Sequence, residues 1–241
     1  MRGESLCYLP SGGRSDLFPL KDDNPTRSFP GVTLGLIALN VAVFVRLLLL
    51  PGALRQETVL RLALVPHDLT TVPPGRPDLL AYNLMTAVTS MFLHAGWLHL
   101  LSNMLYLWIF GNNVEDVMGH VRFALFYLLS GLAGASAQVL VGPSSMVPMV
   151  GASGAVSGVL GAYLVMFPAA RVHTLVFLLF YIRVLEIPAL IVLGVWLLIQ
   201  LINAAQTAPG GVAWFAHLGG FLAGLVLIVP FRRRRSSQVL Y

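Results

Sequence analysis

The chain has 241 residues, of which 57% are hydrophobic and 10% charged, with a formal net charge of +5 and a single cysteine. Soluble domains carry about 25% charged residues, so this composition excludes a surface solvated all round and makes lipid the solvent for much of the chain. The lone Cys7 excludes an internal disulfide and a cysteine metal cluster, and the scattered basic residues do not read as a nucleic-acid surface.

Residues 1–31 are polar and turn-rich (Pro10, Gly12, Gly13, Asp22, Asp23, Asn24, Pro25, Pro30) and lack the apolar run of a cleavable signal peptide. They read as a mobile amino-terminal tail. A bilayer core of about 30 Å needs about 17–25 apolar helical residues to cross it. Six stretches are candidate membrane helices, at about Val32–Leu50, Ala95–Phe110 (the second, which is short), Phe123–Val141, Met149–Phe167, Ile187–Ala205 and Val212–Phe231. The prediction is an all-α polytopic membrane protein with a six-helix domain over 32–231. A basic tail, 232–241, opens with the run Arg232 to Arg235. The stretch Val172–Ile182 is apolar but too short to span, and Arg171 and Arg183 bracket it at an interface. The link from Pro51 to His94 is long and proline-rich, with room for short helices. Long loops on compact scaffolds are often functional.

Lysine and arginine fix the expected orientation. With the amino terminus inside, the inner segments hold Arg2, Arg14, Lys21, Arg27, Arg122, Arg171, Arg183 and Arg232 to Arg235, whereas the outer ones hold Arg46, Arg55, Arg61 and Arg76. Both termini are then cytoplasmic.

Polar side chains within these apolar stretches stand out. The second stretch carries His99, Ser102 and Asn103, the fourth Ser153 and Ser157, and the sixth His217. All three stretches run from outside to inside. His99, Ser153 and His217 are each expected four or five residues from a helix start, hence at one shallow depth near the outer face. Ionisable groups inside a membrane are costly and mark functional sites by default. His99 and Asn103 share a helix face. Gly151, Gly154 and Gly158 on the fourth stretch, and Gly220 and Gly224 on the sixth, make small-residue faces that let helix backbones approach closely.

That set permits acyl transfer. A serine hydroxyl is a weak nucleophile until a base takes its proton, and His217 suits that task for Ser153. The oxyanion of the tetrahedral intermediate needs donors held ready in a dry site. His99, Asn103 and the Ser153 backbone N–H are the candidates. No carboxylate lies within a predicted span, which excludes a membrane aspartyl protease, and no His-Glu-x-x-His helix is present for zinc. Neither a metal nor a cofactor is expected. His94 stands just before the second helix with its role open, and His67, His120 and His173 fall in loops.

Four blocks carry a family resemblance. GASG (Gly151–Gly154), HAGWLHLLSN (His94–Asn103), FAHLGGFLAG (Phe215–Gly224) and FGNNVEDVMG (Phe110–Gly119) occur in the order, and on the helices, expected of rhomboid intramembrane serine proteases. The resemblance covers about Phe29–Pro230. It implies a six-helix rhomboid-like bundle in a membrane, taken here as a bacterial plasma membrane, with the active site opening outward. It also implies hydrolysis of single-span membrane-protein substrates by a Ser–His dyad, with Ser153 as nucleophile and His217 as base. His99, Asn103 and the Ser153 N–H would form the oxyanion site. The sequence departs from some members in having Ser157 where an aromatic packs on the histidine, and in lacking a Trp-Arg pair in the first outer loop. The rival readings are a catalytically inactive rhomboid-like protein that binds membrane clients, and a proton-relaying transporter, for which neither repeated halves nor an intramembrane acid is seen.

Overall fold

A computed structural model describes residues 17–178, 181–206 and 212–233 of the chain. Each apolar stretch holds a helix. They are α1 (Gly31–Leu48), α5 (Trp97–Met118), α6 (His120–Val141), α7 (Ser153–Met166), α8 (Ala189–Ala205) and α9 (Trp214–Phe231). The link after α1 folds into α2 (Gly52–Leu62), α3 (Pro66–Thr70), α4 (Pro77–Thr89) and a 3-10 turn at Ser90–Phe92. By length and composition, α1, α6 and α9 are each long and apolar enough to cross a membrane; α4 and its 3-10 turn join α5 in a fourth candidate span bent by 83°. The helices α7, with 14 residues, and α8, with 17, are shorter and equally apolar.

Three boundaries differ from the sequence reading, each for a physical reason. The second span does not stop at Phe110. The helix runs to Met118, and FGNNVEDVMG is its last turns rather than a link, because the polar residues there have intramolecular partners. Glu115 accepts hydrogen bonds from the Val32 N–H (2.9 Å), the Thr33 N–H (2.8 Å) and the Thr33 hydroxyl (2.6 Å), and so caps α1 across the bundle. Asp116 accepts from the Ser28 N–H at 2.9 Å. The chain turns into α6 at Gly119, whose φ of +79° suits glycine.

The interfacial stretch is not helical. Arg171–Leu178 (β2) and Tyr181–Pro188 (β3) pair antiparallel, and β2 also pairs with Leu17–Asp22 (β1), giving the order β1-β2-β3. Residues 17–22, read as tail, are therefore sheet. Asp22 Oδ2 accepts from the Asn113 amide at 2.8 Å and the Tyr163 hydroxyl at 2.6 Å, which fastens β1 to α5 and α7. Burial pushes the Asp22 carboxyl above the usual carboxylate range, and the Tyr163 bond opposes this only in part. Cys7, the rest of the amino-terminal tail, and Arg234 onward lie outside the described residues.

The third difference is where the fourth helix starts. Residues 149–151 are not helical, with a bridge between Leu64 and Met149, and Ala152 turns the chain into the helix, which begins at Ser153 itself. The core forms where α6, α7 and α9 meet, around Phe126, Tyr127, Val159, Tyr163 and Phe221, all nearly inaccessible. Glycine makes this packing possible. A Cβ on Gly220 would overlap the Gly154 carbonyl oxygen, and one on Gly224 the Gly158 carbonyl oxygen. Lipid gives no hydrophobic drive between helices, so backbone contact of this kind holds the bundle together. Of the six helices formed by the apolar stretches, α8 is the least engaged and packs chiefly on α9.

Candidate active site

Three helices that start at the same end of the bundle bring the predicted side chains together. Ser153 is the first residue of α7, His99 the third of α5 and His217 the fourth of α9. The placement is shallower than the four or five residues expected, and for Ser153 the cause is the non-helical segment before it.

The Ser153 hydroxyl meets His217 Nε2 at 2.8 Å. On the other side of the ring, His217 Nδ1 lies 2.8 Å from Gln200 Oε1, on α8. The Gln200 amide nitrogen faces the Trp196 carbonyl oxygen at 3.4 Å, so its oxygen is the atom turned to the imidazole. Nδ1 therefore carries the proton and donates to Gln200, which leaves the Nε2 lone pair to accept from Ser153. Trp196 lies against the ring at 6.3 Å between centroids and Trp214 meets it edge-on at 5.8 Å. The aromatic support missing at Ser157 thus comes from α8 and α9. Ser157 itself donates to the Ser153 carbonyl oxygen at 2.6 Å, the back-bond common for serine in membrane helices.

The helix carrying His217 is fixed by a side chain from α6. Gln138 Oε1 accepts from the backbone N–H groups of Phe215 (3.1 Å) and Ala216 (3.3 Å), two donors of the first turn of α9, of which Ala216 also donates to the Ala213 carbonyl at 3.0 Å. The composition of the spans holds a signal for both Gln138 and Gln200, since Gln138 is the one amide of α6 and Gln200 is one of two, with Asn203, in the apolar α8.

Beside the dyad, Gly151 has φ of +130° and donates its N–H to the Ser90 carbonyl at 2.9 Å. A Cβ there would lie 2.7 Å from His99 Nε2 and 3.6 Å from Ser153 Oγ. His99 Nε2 and the serine hydroxyl thus border one small space, kept open by the lack of a side chain. The Ala95 N–H approaches His99 Nδ1 at 3.5 Å, a long contact whose sense makes Nε2 the protonated nitrogen, facing that space. The Ser153 N–H, in the first turn of α7, has no acceptor within its helix. Asn103 lies one turn beyond His99, buried, and gives one amide hydrogen to the His99 carbonyl at 2.8 Å, which leaves the other. Gly154, Gly158, Gly220 and Gly224 line the contact of α7 with α9 and touch none of the reacting atoms. His94 is 6% exposed, meets His99 edge-on at 5.1 Å, and neither of its ring nitrogens has a hydrogen-bond partner among the described residues.

These features define a helical membrane bundle with a serine hydroxyl hydrogen-bonded to a histidine between two of its helices. The rhomboid-domain family model matches residues 81–234, and the chain belongs to the rhomboid family. Among curated relatives, it is 36% identical over 140 residues to the mitochondrial RHOMBOID-like protein 6 of Arabidopsis thaliana, an alignment covering 58% of this chain and 41% of the relative. It is 31% identical over 156 residues to the mitochondrial Rhomboid protein 1 of Saccharomyces cerevisiae (59% and 40%). It is 35% identical over 135 residues to the Rhomboid protease GluP of Bacillus subtilis (56% and 24%). The chain thus spans less than half the length of these relatives.

Proposed function

We propose that this protein is an intramembrane serine endopeptidase that cuts membrane-protein substrates in or near a transmembrane helix. The observation that carries the reading is the line Ser153 Oγ, His217 Nε2, His217 Nδ1, Gln200 Oε1, with 2.8 Å at each of its two hydrogen bonds. In the first half of the reaction, His217 Nε2 takes the hydroxyl proton as Ser153 Oγ attacks the carbonyl carbon of the scissile peptide. The carbonyl oxygen gains the negative charge. His99 Nε2–H and the Ser153 N–H are its donors, with the remaining Asn103 amide hydrogen as a third. Donors aimed at developing charge in a dry site usually accelerate such reactions more than any other single effect. The imidazolium then gives its proton to the leaving amine as the C–N bond breaks, and Ser153 keeps the acyl group. In the second half, His217 takes a proton from water, the hydroxide adds to the acyl carbon, and the proton returns to Ser153 as the ester opens. Gln200 holds one tautomer throughout with a neutral acceptor, which suits a site where a buried carboxylate would need a partner.

The side of action follows from the charge pattern. The end of the bundle where α5 finishes, α6 begins and α9 finishes carries Arg122, Arg232 and Arg233; by the lysine and arginine rule it is inner, with the dyad toward the outer face. A client helix hides its carbonyls in its own hydrogen-bond ladder, and those bonds are costly to break in lipid. Clients with glycine or proline near the cut unwind more readily, and a small residue fits beside Gly151.

The test is cleavage of a panel of single-span helices by the purified protein. Wild type should cut, and Ser153→Ala and His217→Ala should each lose activity by at least about 1,000-fold, with the double variant no worse than either. A serine-directed fluorophosphonate should label wild type and spare Ser153→Ala. Full cleavage by purified Ser153→Ala would end the assignment. Absence of both cleavage and labelling in wild type would instead favour a client-binding rhomboid without catalysis.

A further inference from the structure

At the end of the bundle opposite Ser153, where α5 and α9 finish and α6 begins, a cleft of about 960 Å³ opens between Met118–Arg122 and Val229–Arg233. Arg122, Arg232, Arg233 and His120 line it. None of the three arginines is in an ion pair among the described residues, and all three are exposed. The acids nearest in sequence are already engaged. Glu115 caps α1 and meets His120 Nδ1 at 2.6 Å, and Asp116 binds the backbone of Arg27 and Ser28. Arg233 is held in the cleft by its N–H, which donates to the Val117 carbonyl at 3.1 Å, and its guanidinium lies over Gly119, where any Cβ would displace it. The walls beside this charge are apolar and open: Val121 is 74% exposed and Val229 60%.

Three cations with no carboxylate partner among the described residues, gathered in one concavity and bordered by the exposed Val121, Val226 and Val229, call for an anion that carries an acyl chain. We infer that this cleft binds the phosphate headgroup of an anionic phospholipid, with the acyl chains lying along Val121, Val226 and Val229. Arginine recognises phosphate through its planar fork of donors, and basic pockets between membrane helices are sites of this kind. The inference does not rest on the proposed chemistry, because no residue of the cleft touches Ser153 or His217.

The test is binding, without any protease assay. Purified protein in a neutral detergent is titrated with phosphatidylglycerol, with phosphatidylcholine and with inorganic phosphate, and read by native mass spectrometry and by thermal unfolding. Each arginine at such a surface contributes roughly fivefold to affinity. Phosphatidylglycerol should bind at least about tenfold more tightly than phosphatidylcholine and raise the melting temperature. The triple variant Arg122→Gln, Arg232→Gln, Arg233→Gln should lose at least about tenfold. A control of equal charge change at the other end, Arg46→Gln, Arg55→Gln, Arg61→Gln, should stay within about twofold of wild type. Should the triple variant melt abnormally without lipid, the single Arg122→Gln, on an exposed side chain of α6, should still lose about fivefold. Equal binding of both phospholipids, or full retention by both the triple variant and Arg122→Gln, would overturn the site. Displacement of phosphatidylglycerol by inorganic phosphate at equal concentration would show a soluble-anion site and overturn the lipid assignment.

Discussion

In the proposed mechanism, the residue that sets the tautomer of His217 is Gln200. A histidine can serve Ser153 only with its Nε2 lone pair turned to the hydroxyl, and the Gln200 oxygen at Nδ1 selects that tautomer. Gln200→Leu should lower kcat about tenfold or more, the worth of one buried hydrogen bond of about 1.4 kcal/mol, with KM little changed. Gln200→Glu, which keeps the acceptor, should recover more activity than Leu does. Equal activity of wild type and Leu in a cleavage assay would show that Trp196 and Trp214 orient the ring unaided. Gly151 bears on the same site. Gly151→Ala must place a side chain at φ +130° and against His99 Nε2. Strain of this kind costs on the order of 1–3 kcal/mol, so activity should fall at least about tenfold and melting should drop by several degrees. Gly52→Ala, where a Cβ meets nothing, serves as the control and should change neither. At this scale the sequence was informative where a residue type was out of place. Ser153, His99 and His217 stood out because ionisable or nucleophilic groups are rare in apolar helices. Gln200 and Gln138 carried the same signal, more faintly, because an amide cannot ionise and reads as ordinary polarity until its partner is seen.

Among the elements, the helices were legible and the sheet was not. Hydropathy counts apolar residues over a window, so it found all six helices. It also ended the second one eight residues early, since Asn112, Asn113, Glu115 and Asp116 depress the window, and the last three have partners that only the fold supplies. The hairpin Arg171–Pro188 is apolar and rich in β-branched and aromatic residues, which fits a strand as well as an interface segment. Its pairing with Leu17–Asp22 joins positions about 150 residues apart, beyond what local pattern can reveal. That junction yields a pH prediction. Asp22 has its carboxyl pushed up by burial, so the folded state holds the proton to higher pH than the unfolded chain. The stability this gives is present at low pH and is lost as pH rises through the folded value. Asp22→Asn keeps an oxygen for both Asn113 and Tyr163 and removes the charge. The variant should match wild type in melting temperature near pH 4 and exceed it progressively toward pH 7. A gap that is constant with pH would refute the linkage.

For the whole molecule, the architecture separates two ends. The dyad, the Gly151 space and the long link from α2 to α4 occupy one, while the sheet, the capping acids and the arginine cleft occupy the other. In the orientation proposed from the lysine and arginine pattern, the second end is the inner one. A cysteine introduced at Asp78, in the first turn of α4, should therefore react with an impermeant thiol reagent in intact cells, and native Cys7 should not. Reversed labelling would turn the active site to the other side of the membrane.

The long-range caps bear on how the chain is made. The first N–H groups of α1 are satisfied by Glu115, more than 80 residues later, and those of α9 by Gln138, 77 residues earlier. During synthesis, then, α1 must enter the bilayer with its leading donors still facing water or headgroups, and it cannot settle to its final depth until α5 is complete. The last helix meets the opposite situation, since its acceptor is already in place when it emerges. Assembly is thereby given a direction, in which α1 waits and α9 docks, and the Ser153–His217 pair, whose histidine lies on α9, cannot exist before these helices come together.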